Sequence, residues 1–316
     1  MLINNEINYN QFEYLLDTQI KNKIDGLLIA SSIYGEGLWL NELEINKLIE
    51  CCKKKNIQII LEINELNINK IIEKIKIFEN YGVYICIINI PNFEFQLLTE
   101  KNIINYFYDI SKEIKSKIII NDTFNLKDFS ITLRTIQYLS LNKKIIGLLN
   151  NSGNIDKMKY LKNACNEFEN DMDGSVEDNF LFFSGNDLNS IDFLLNGGNG
   201  LFSITSTIYP ELINLLIKFI EIDKTLSYKI YNYLRTLFFN LNNKKDPSIL
   251  KYILYRKLEL TDNNWNITNY GIWKPYIKLN TKYYTDLSYT IHYINNIKKE
   301  IGINWLKILN KFKKII

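Results

Sequence analysis

Short apolar runs recur along the chain, each followed by a longer stretch in which apolar side chains return every three or four positions. The first clear run is Gly26-Leu27-Leu28-Ile29-Ala30; others lie at residues 57–63, 83–90, 117–120, 145–149, 180–183 and 200–204. Runs of this length, rich in Ile and Phe and without alternation, suit strands covered on both faces. The segments between them read as amphipathic helices. Phe12, Leu15, Leu16 and Ile20 share one stripe, and Ile68, Ile71, Ile72, Ile75 and Ile77 another. Strands alternating with helices imply a parallel α/β sheet. Strand starts near 26, 57, 83, 117, 145, 180 and 200 are spaced as a (β/α)8 TIM barrel requires. Neither a GxGxxG after the first strand nor a Walker loop is present, so the positive signals for a nucleotide-binding open sheet are missing.

An eighth strand would have to be the first, and only Met1-Leu2-Ile3 precedes Asn4-Asn5-Glu6. The first strand is therefore expected to be short or missing. After residue 205 the pattern is helical, with helices expected at 210–223, 227–241, 248–256, 285–301 and 305–315 and an irregular connection at 260–279. The expected organisation is a barrel over residues 1–223 and a helical C-terminal appendage over 224–316, packed on it as one structural unit.

Composition changes this picture little. The 316 residues are 47% hydrophobic and 23% charged, with a net charge of +3, ordinary for a folded domain. Only Ala30 and Ala164 are alanines, against many Asn, Ile and Lys, which weakens any argument from helix propensity. The lysines are dispersed, and Lys53-Lys54-Lys55 reads as a solvated helix end, so no nucleic-acid partner is expected. No apolar stretch reaches the roughly 18 residues of a membrane span, and no leader opens the chain; no membrane partner and a cytoplasmic location are the expectations. Cys51, Cys52, Cys86 and Cys165 have no metal-ligand spacing, and the single histidine, His292, reads as a helix-surface residue. No metal site is expected, and no GxSxG accompanies His292 to suggest nucleophilic catalysis.

Several stretches carry more specific information. Ile24-Asp25-Gly26-Leu27-Leu28 runs into Tyr34-Gly35-Glu36-Gly37-Leu38. Ile145-Ile146-Gly147-Leu148-Leu149-Asn150-Asn151-Ser152-Gly153-Asn154 follows later, then Phe182-Phe183-Ser184-Gly185-Asn186-Asp187. Asn196-Gly197-Gly198-Asn199-Gly200-Leu201-Phe202-Ser203-Ile204 precedes Pro210-Glu211-Leu212. In this order and spacing they resemble the dihydrodipicolinate synthase and N-acetylneuraminate lyase family, over residues 5 to 301.

The resemblance implies a barrel lyase that condenses or cleaves 2-oxo acids, typically pyruvate, through a Schiff base on a lysine, with no cofactor. A tyrosine relays protons with help from a loop threonine and a second tyrosine. It also implies a homo-oligomer, a dimer or tetramer. Position by position the sequence departs. The lysine falls on Leu149, the relay tyrosine on Ile120 just before Asn121, the loop threonine on Ile33 and the second tyrosine on Phe93; the family's arginine falls near Asn125. The barrel mouth is expected to be lined by Ser32, Tyr34, Gly35, Glu36, Asn121, Gly185 and Phe202. Lys144 precedes its strand and Lys117 starts one, so both belong to the opposite rim, whereas Lys127 lies on the loop after a strand and is at the correct rim. The expectation is a catalytically impaired homologue. Two alternatives stay open: a still-active 4-hydroxy-tetrahydrodipicolinate synthase of lysine biosynthesis or N-acetylneuraminate lyase with rearranged residues, and a small-carboxylate binding or scaffold subunit. Ser152-Gly153-Asn154 leans toward the synthase branch, and Gly35-Glu36-Gly37 leans toward the lyase branch.

Overall fold

Among the described residues seven strands lie parallel in one sheet, side by side in the order in which they occur along the chain. The computed structural model describes residues 2–3, 6–32, 35–91, 99–122, 131–171, 180–244, 247–261, 289–294 and 296. Strands β1 (Leu2–Ile3) and β2 (Glu6–Ile7) form a separate antiparallel pair, followed by α1 (Tyr9–Lys21). The sheet itself comprises β3 (Gly26–Ile29), β4 (Gln58–Ile63), β5 (Ile85–Asn89), β6 (Lys117–Asp122), β7 (Ile145–Asn150), β8 (Leu181–Ser184) and β9 (Gly200–Leu201). Between them run α2 (Glu42–Lys54), α3 (Ile68–Asn80), α4 (Glu100–Glu113), α5 (Leu133–Ser140), α6 (Ile155–Asp171) and α7 (Ser190–Leu195). The chain continues through α8 (Pro210–Ile222), α9 (Lys224–Lys244) and α10 (Pro247–Thr261). The helix expected at 305–315 lies outside the described residues, as does the greater part of the connection at 260–279.

The asparagine-rich composition is put to use where helices begin. Asn8, Asn41 and Asn67 each accept a backbone N–H in the first turn of α1, α2 and α3, and Asn41 forms a reciprocal capping box with Glu44. Thr99 and Thr132 do the same for α4 and α5. Side-chain oxygens at these positions satisfy donors that a helix cannot pair internally, which offsets the shortage of good helix formers.

Alternation along each strand sorts the side chains into two layers. Leu61, Ile63, Cys86, Ile88, Ile118, Ile120, Leu148 and Phe182 face the helices and merge with Ile49, Ile71, Ile75, Phe107 and Ile136 into the main core. The intervening residues Ile87, Ile119 and Leu149 form a distinct cluster, against which Leu28, Ile60, Ile85, Ile146, Phe183 and Phe202 pack. This cluster gathers residues from β3 and from just beyond β9, the two ends of the sheet. The sheet is therefore curled on itself with helices outside, a TIM-barrel-like α/β arrangement.

No eighth parallel strand stands between β9 and β3 among the described residues. Instead α1 is tied to the segment that follows β9. Gln19 Nε2 donates to the carbonyls of Ser206 (3.2 Å) and Thr207 (3.4 Å), and Asn214 Nδ2 of α8 donates to the Asn22 carbonyl (2.6 Å). A further apolar cluster joins Leu212 and Leu216 of α8, Leu234 and Phe238 of α9, and Ile249 and Ile253 of α10. Among the described residues no helix is long and apolar enough to cross a membrane.

Candidate functional site

All seven strands run the same way, so their C-terminal ends open at one rim, where the following loops can converge on a ligand. Backbone register sets the inner face there. Asn89 pairs with Asn121, Asn121 with Leu149, and Leu149 with Phe183. These four residues of β5 to β8 therefore stand at one level. Leu149 is buried against Ile87 and Ile119 and forms part of an apolar floor. Phe183 and Phe202 meet edge to face on that floor, with ring centroids 5.3 Å apart.

Beside this floor runs a row of polar groups contributed by consecutive strands. Asn151, just past β7, donates through Nδ2 to Asn121 Oδ1 (2.6 Å), and Asn121 Nδ2 donates to Asn89 Oδ1 (2.8 Å). The Asn89 side chain in turn donates to the carboxylate of Glu62 on β4. From the other side Glu62 accepts the Ser32 hydroxyl (2.6 Å), the Ser32 backbone N–H (3.2 Å) and the Ser31 side chain. Glu62 is buried. Burial pushes its carboxyl above the usual range, while the bonds from Ser32, Ser31 and Asn89 pull it back in part.

Local backbone geometry explains how these groups are aimed. The chain leaves β3 through Ala30, which has φ +56°, and Asn64 Nδ2 holds the Ala30 carbonyl at 2.8 Å. The N–H groups of Gly35 and Gly37 then turn back onto the Ser31 carbonyl (3.1 and 2.9 Å). This hook presents Ser32 to Glu62. Inside it Glu36 has φ +52°, a region that costs a non-glycine residue about 1–3 kcal/mol. The hook is held by α10, whose Lys251 Nζ lies 2.6 Å from Glu36 Oε2, with both side chains below a tenth exposed. On β8's exit, a Cβ added at Gly185 would lie 1.8 Å from Asn151 Oδ1, so only glycine leaves room for the Asn151 carboxamide.

Resemblance of motifs to a fold is one observation; a match of the whole pattern is another. The profile of the dihydrodipicolinate synthetase family matches residues 1–293. The chain belongs to that family. It is 26% identical over 267 residues to the 4-hydroxy-tetrahydrodipicolinate synthase of Karelsulcia muelleri, covering 79% of this chain and 81% of the relative. A relative from Clostridium acetobutylicum, named 4-hydroxy-tetrahydrodipicolinate synthase 1, is 26% identical over 212 residues, 66% of this chain and 67% of its own. Among solved structures, the Acinetobacter baumannii dihydrodipicolinate synthase complexed with pyruvate superposes with a TM-score of 0.79 at 19% identity, covering 93% of this chain and 95% of the other. The Methylacidiphilum fumariolicum enzyme gives 0.79 at 21% identity, covering 95% of each chain. At these identities the superpositions speak for the fold.

Against the family's expected positions, the structure puts Leu149 on the inner face and Ile120 in the helix-facing core. The residue of β6 that turns inward at that end is Asn121. Ser32, Asn121, Gly185 and Phe202 all border the inner rim. Gly35 shapes the hook, and Glu36 is engaged by Lys251. Ile33, Tyr34, Phe93, Asn125 and Lys127 lie outside the described residues. Lys117 and Lys144 sit at the opposite end of the sheet, where their Nζ atoms donate to the carbonyls of Lys143 and of Ser111 and Ile114. Near the rim, Lys157 of α6 pairs with Asp122 at 2.8 Å. Sequence reasoning missed Glu62, Asn89 and Asn151. Glu62 carried a signal, since a carboxylate inside Ile59-Ile60-Leu61-Glu62-Ile63 must be buried with the strand and needs partners there. Asp187 plays a bracing part: buried, its carboxyl pushed up by burial, it accepts the Thr205 N–H at 3.0 Å and so joins the loop after β8 to the segment after β9.

Proposed function

We propose that this chain is a family member in which the imine step has been lost, leaving a barrel whose mouth binds rather than transforms. The observation that supports it is Leu149, whose aliphatic side chain lies on the inner face at the level of Asn121. The resemblance assigns that position to the lysine that attacks the 2-oxo acid. Imine formation joins an amine nitrogen to the ketone carbon and releases water, and the imine then withdraws electrons from the adjacent bond. A hydrocarbon side chain supplies no nitrogen for the first bond. The relay position falls on Ile120 or on its inward neighbour Asn121, and neither side chain ionises to carry a proton. Loss of both groups together removes a unit rather than two independent contributions.

The relatives named 4-hydroxy-tetrahydrodipicolinate synthase set the alternative, an enzyme that has moved its amine elsewhere. Treating the full chain with pyruvate and borohydride, followed by intact-mass measurement, separates the two. The proposed reading expects an unchanged mass. A stable adduct mapped to any lysine, Lys127 included, overturns it.

A further inference from the structure

The polarity of the rim points to a ligand of a kind different from an oxo acid. Glu62 is buried on the inner face, and the described residues that donate to it are neutral: two serines and an asparagine. Among the described residues no cation acts on it. Two lysines on the rim side are matched elsewhere, Lys157 with Asp122 and Lys251 with Glu36. A buried carboxylate lacking a counter-charge is costly, and such groups concentrate at functional sites. Along the same inner face, beside the row of polar groups, runs an apolar wall. Phe183 and Phe202, at the rim end of that wall, are only half-buried. The edge-to-face pair Phe183 and Phe202 adds ring faces, which attract cations. A 2-oxo acid would bring a second negative charge against Glu62; a protonated amine would neutralise it, donate to its oxygens and lay a short hydrocarbon body on the floor.

We propose that the rim formed by Glu62, Asn89, Asn121 and Asn151 over the Phe183 and Phe202 floor binds a small organic ammonium, with Glu62 as its counter-ion. This inference rests on the reading that no imine-forming amine occupies the mouth, but it is tested separately, because borohydride trapping reports on the amine and the following experiment on the carboxylate.

The probes are n-butylammonium chloride, sodium butyrate and n-butanol, matched in chain length, with potassium chloride at equal ionic strength as the reference. Thermal shift and isothermal titration calorimetry on the full chain are expected to show binding and stabilisation by butylammonium alone. Glu62→Gln is expected to weaken that binding by about tenfold or more, a loss of at least one hydrogen-bonded charge pair. Glu62→Asp keeps the charge and is expected to retain part of the affinity, while Asp17→Asn, at an exposed ion pair remote from the rim, leaves it unchanged. Equal stabilisation by butyrate or by potassium chloride overturns the proposal, as does butylammonium binding that survives Glu62→Gln. Absence of any butylammonium effect on the unaltered chain overturns it without recourse to a variant.

Discussion

Leu149 and Asn121 show what can and cannot be read from single positions. Leu149 is placed in the motif by Gly147 on one side and Ser152-Gly153 on the other, without a gap, and its side chain lies on the inner face. Its neighbour strand offers no such anchor: in Ile118-Ile119-Ile120-Asn121 every position is apolar until the last, so the alternation that separates inner from outer face is invisible. A slip of one residue exchanges the faces, and the structure turns Ile120 toward the helices and Asn121 inward. Glu62 yields a test at the same level. Burial raises its pKa above the ordinary 4.5, so the fold holds the proton more firmly than the unfolded chain does. The stabilisation that comes with that proton is complete below 4.5 and disappears as pH rises through the raised value. Glu62→Gln cannot ionise and escapes this loss. Its melting temperature is expected to exceed that of the unaltered chain near neutral pH, with the difference shrinking as pH falls toward 4.5. Asp187 titrates in the same sense in both proteins and cancels from the comparison. A difference that grows on acidification would contradict the assignment.

Helices and strands were legible to the extent that their apolar pattern was continuous. The run at 57–63 became β4, Gln58–Ile63, and the run at 145–149 became β7, Ile145–Asn150. The run at 200–204 shortened to Gly200–Leu201, since a tight turn follows in which Ser203 accepts the Ser206 N–H (3.1 Å). Helix α9 begins at Lys224, ahead of its apolar stripe, because the Asp223 carboxylate accepts the Leu226 N–H at 3.1 Å. Contacts between elements far apart in sequence are where pattern reading stops. Nothing in the spacing of Glu36 and Lys251 announces that α10 grips the hook after β3. Both side chains are almost fully enclosed, so Lys251→Met leaves a carboxylate stranded. The expected cost is about 3–5 kcal/mol in urea-induced unfolding, and replacing Glu36 as well, in the pair Glu36→Leu and Lys251→Met, is expected to restore most of it. If the single substitution costs nothing measurable, the ion pair does not fasten the hook.

The overall plan, parallel strands in chain order under a coat of helices, followed from repetition alone. The start of the sheet did not. Leu2–Ile3 folds back on Glu6–Ile7 and, among the described residues, pairs with no strand of the seven-stranded sheet, and two residues with a turn partner read the same in sequence whichever strand they join. Among the described residues α1 is tied to the segment after β9 through Gln19 and the carbonyls of Ser206 and Thr207, and through Asn214 of α8. Gln19 is buried. Gln19→Ala is expected to cost about 1–3 kcal/mol by leaving those acceptors unpaired. Hydrogen exchange should quicken first in β3 and β9, at the two ends of the sheet, and last in β5 to β7. Uniform acceleration across all strands would show that the ends open only with the whole.

The row of carboxamides along the rim has a direction. A carboxylate only accepts, so Asn89 must offer Glu62 its nitrogen, Asn121 must offer its nitrogen to the oxygen that Asn89 has left over, and Asn151 must follow suit. Rotating Asn89 or Asn121 end over end would set oxygen against oxygen on one side and nitrogen against nitrogen on the other. The orientation three strands away is thus dictated by one anion, and the sequence of dipoles cannot reverse while that anion keeps its charge.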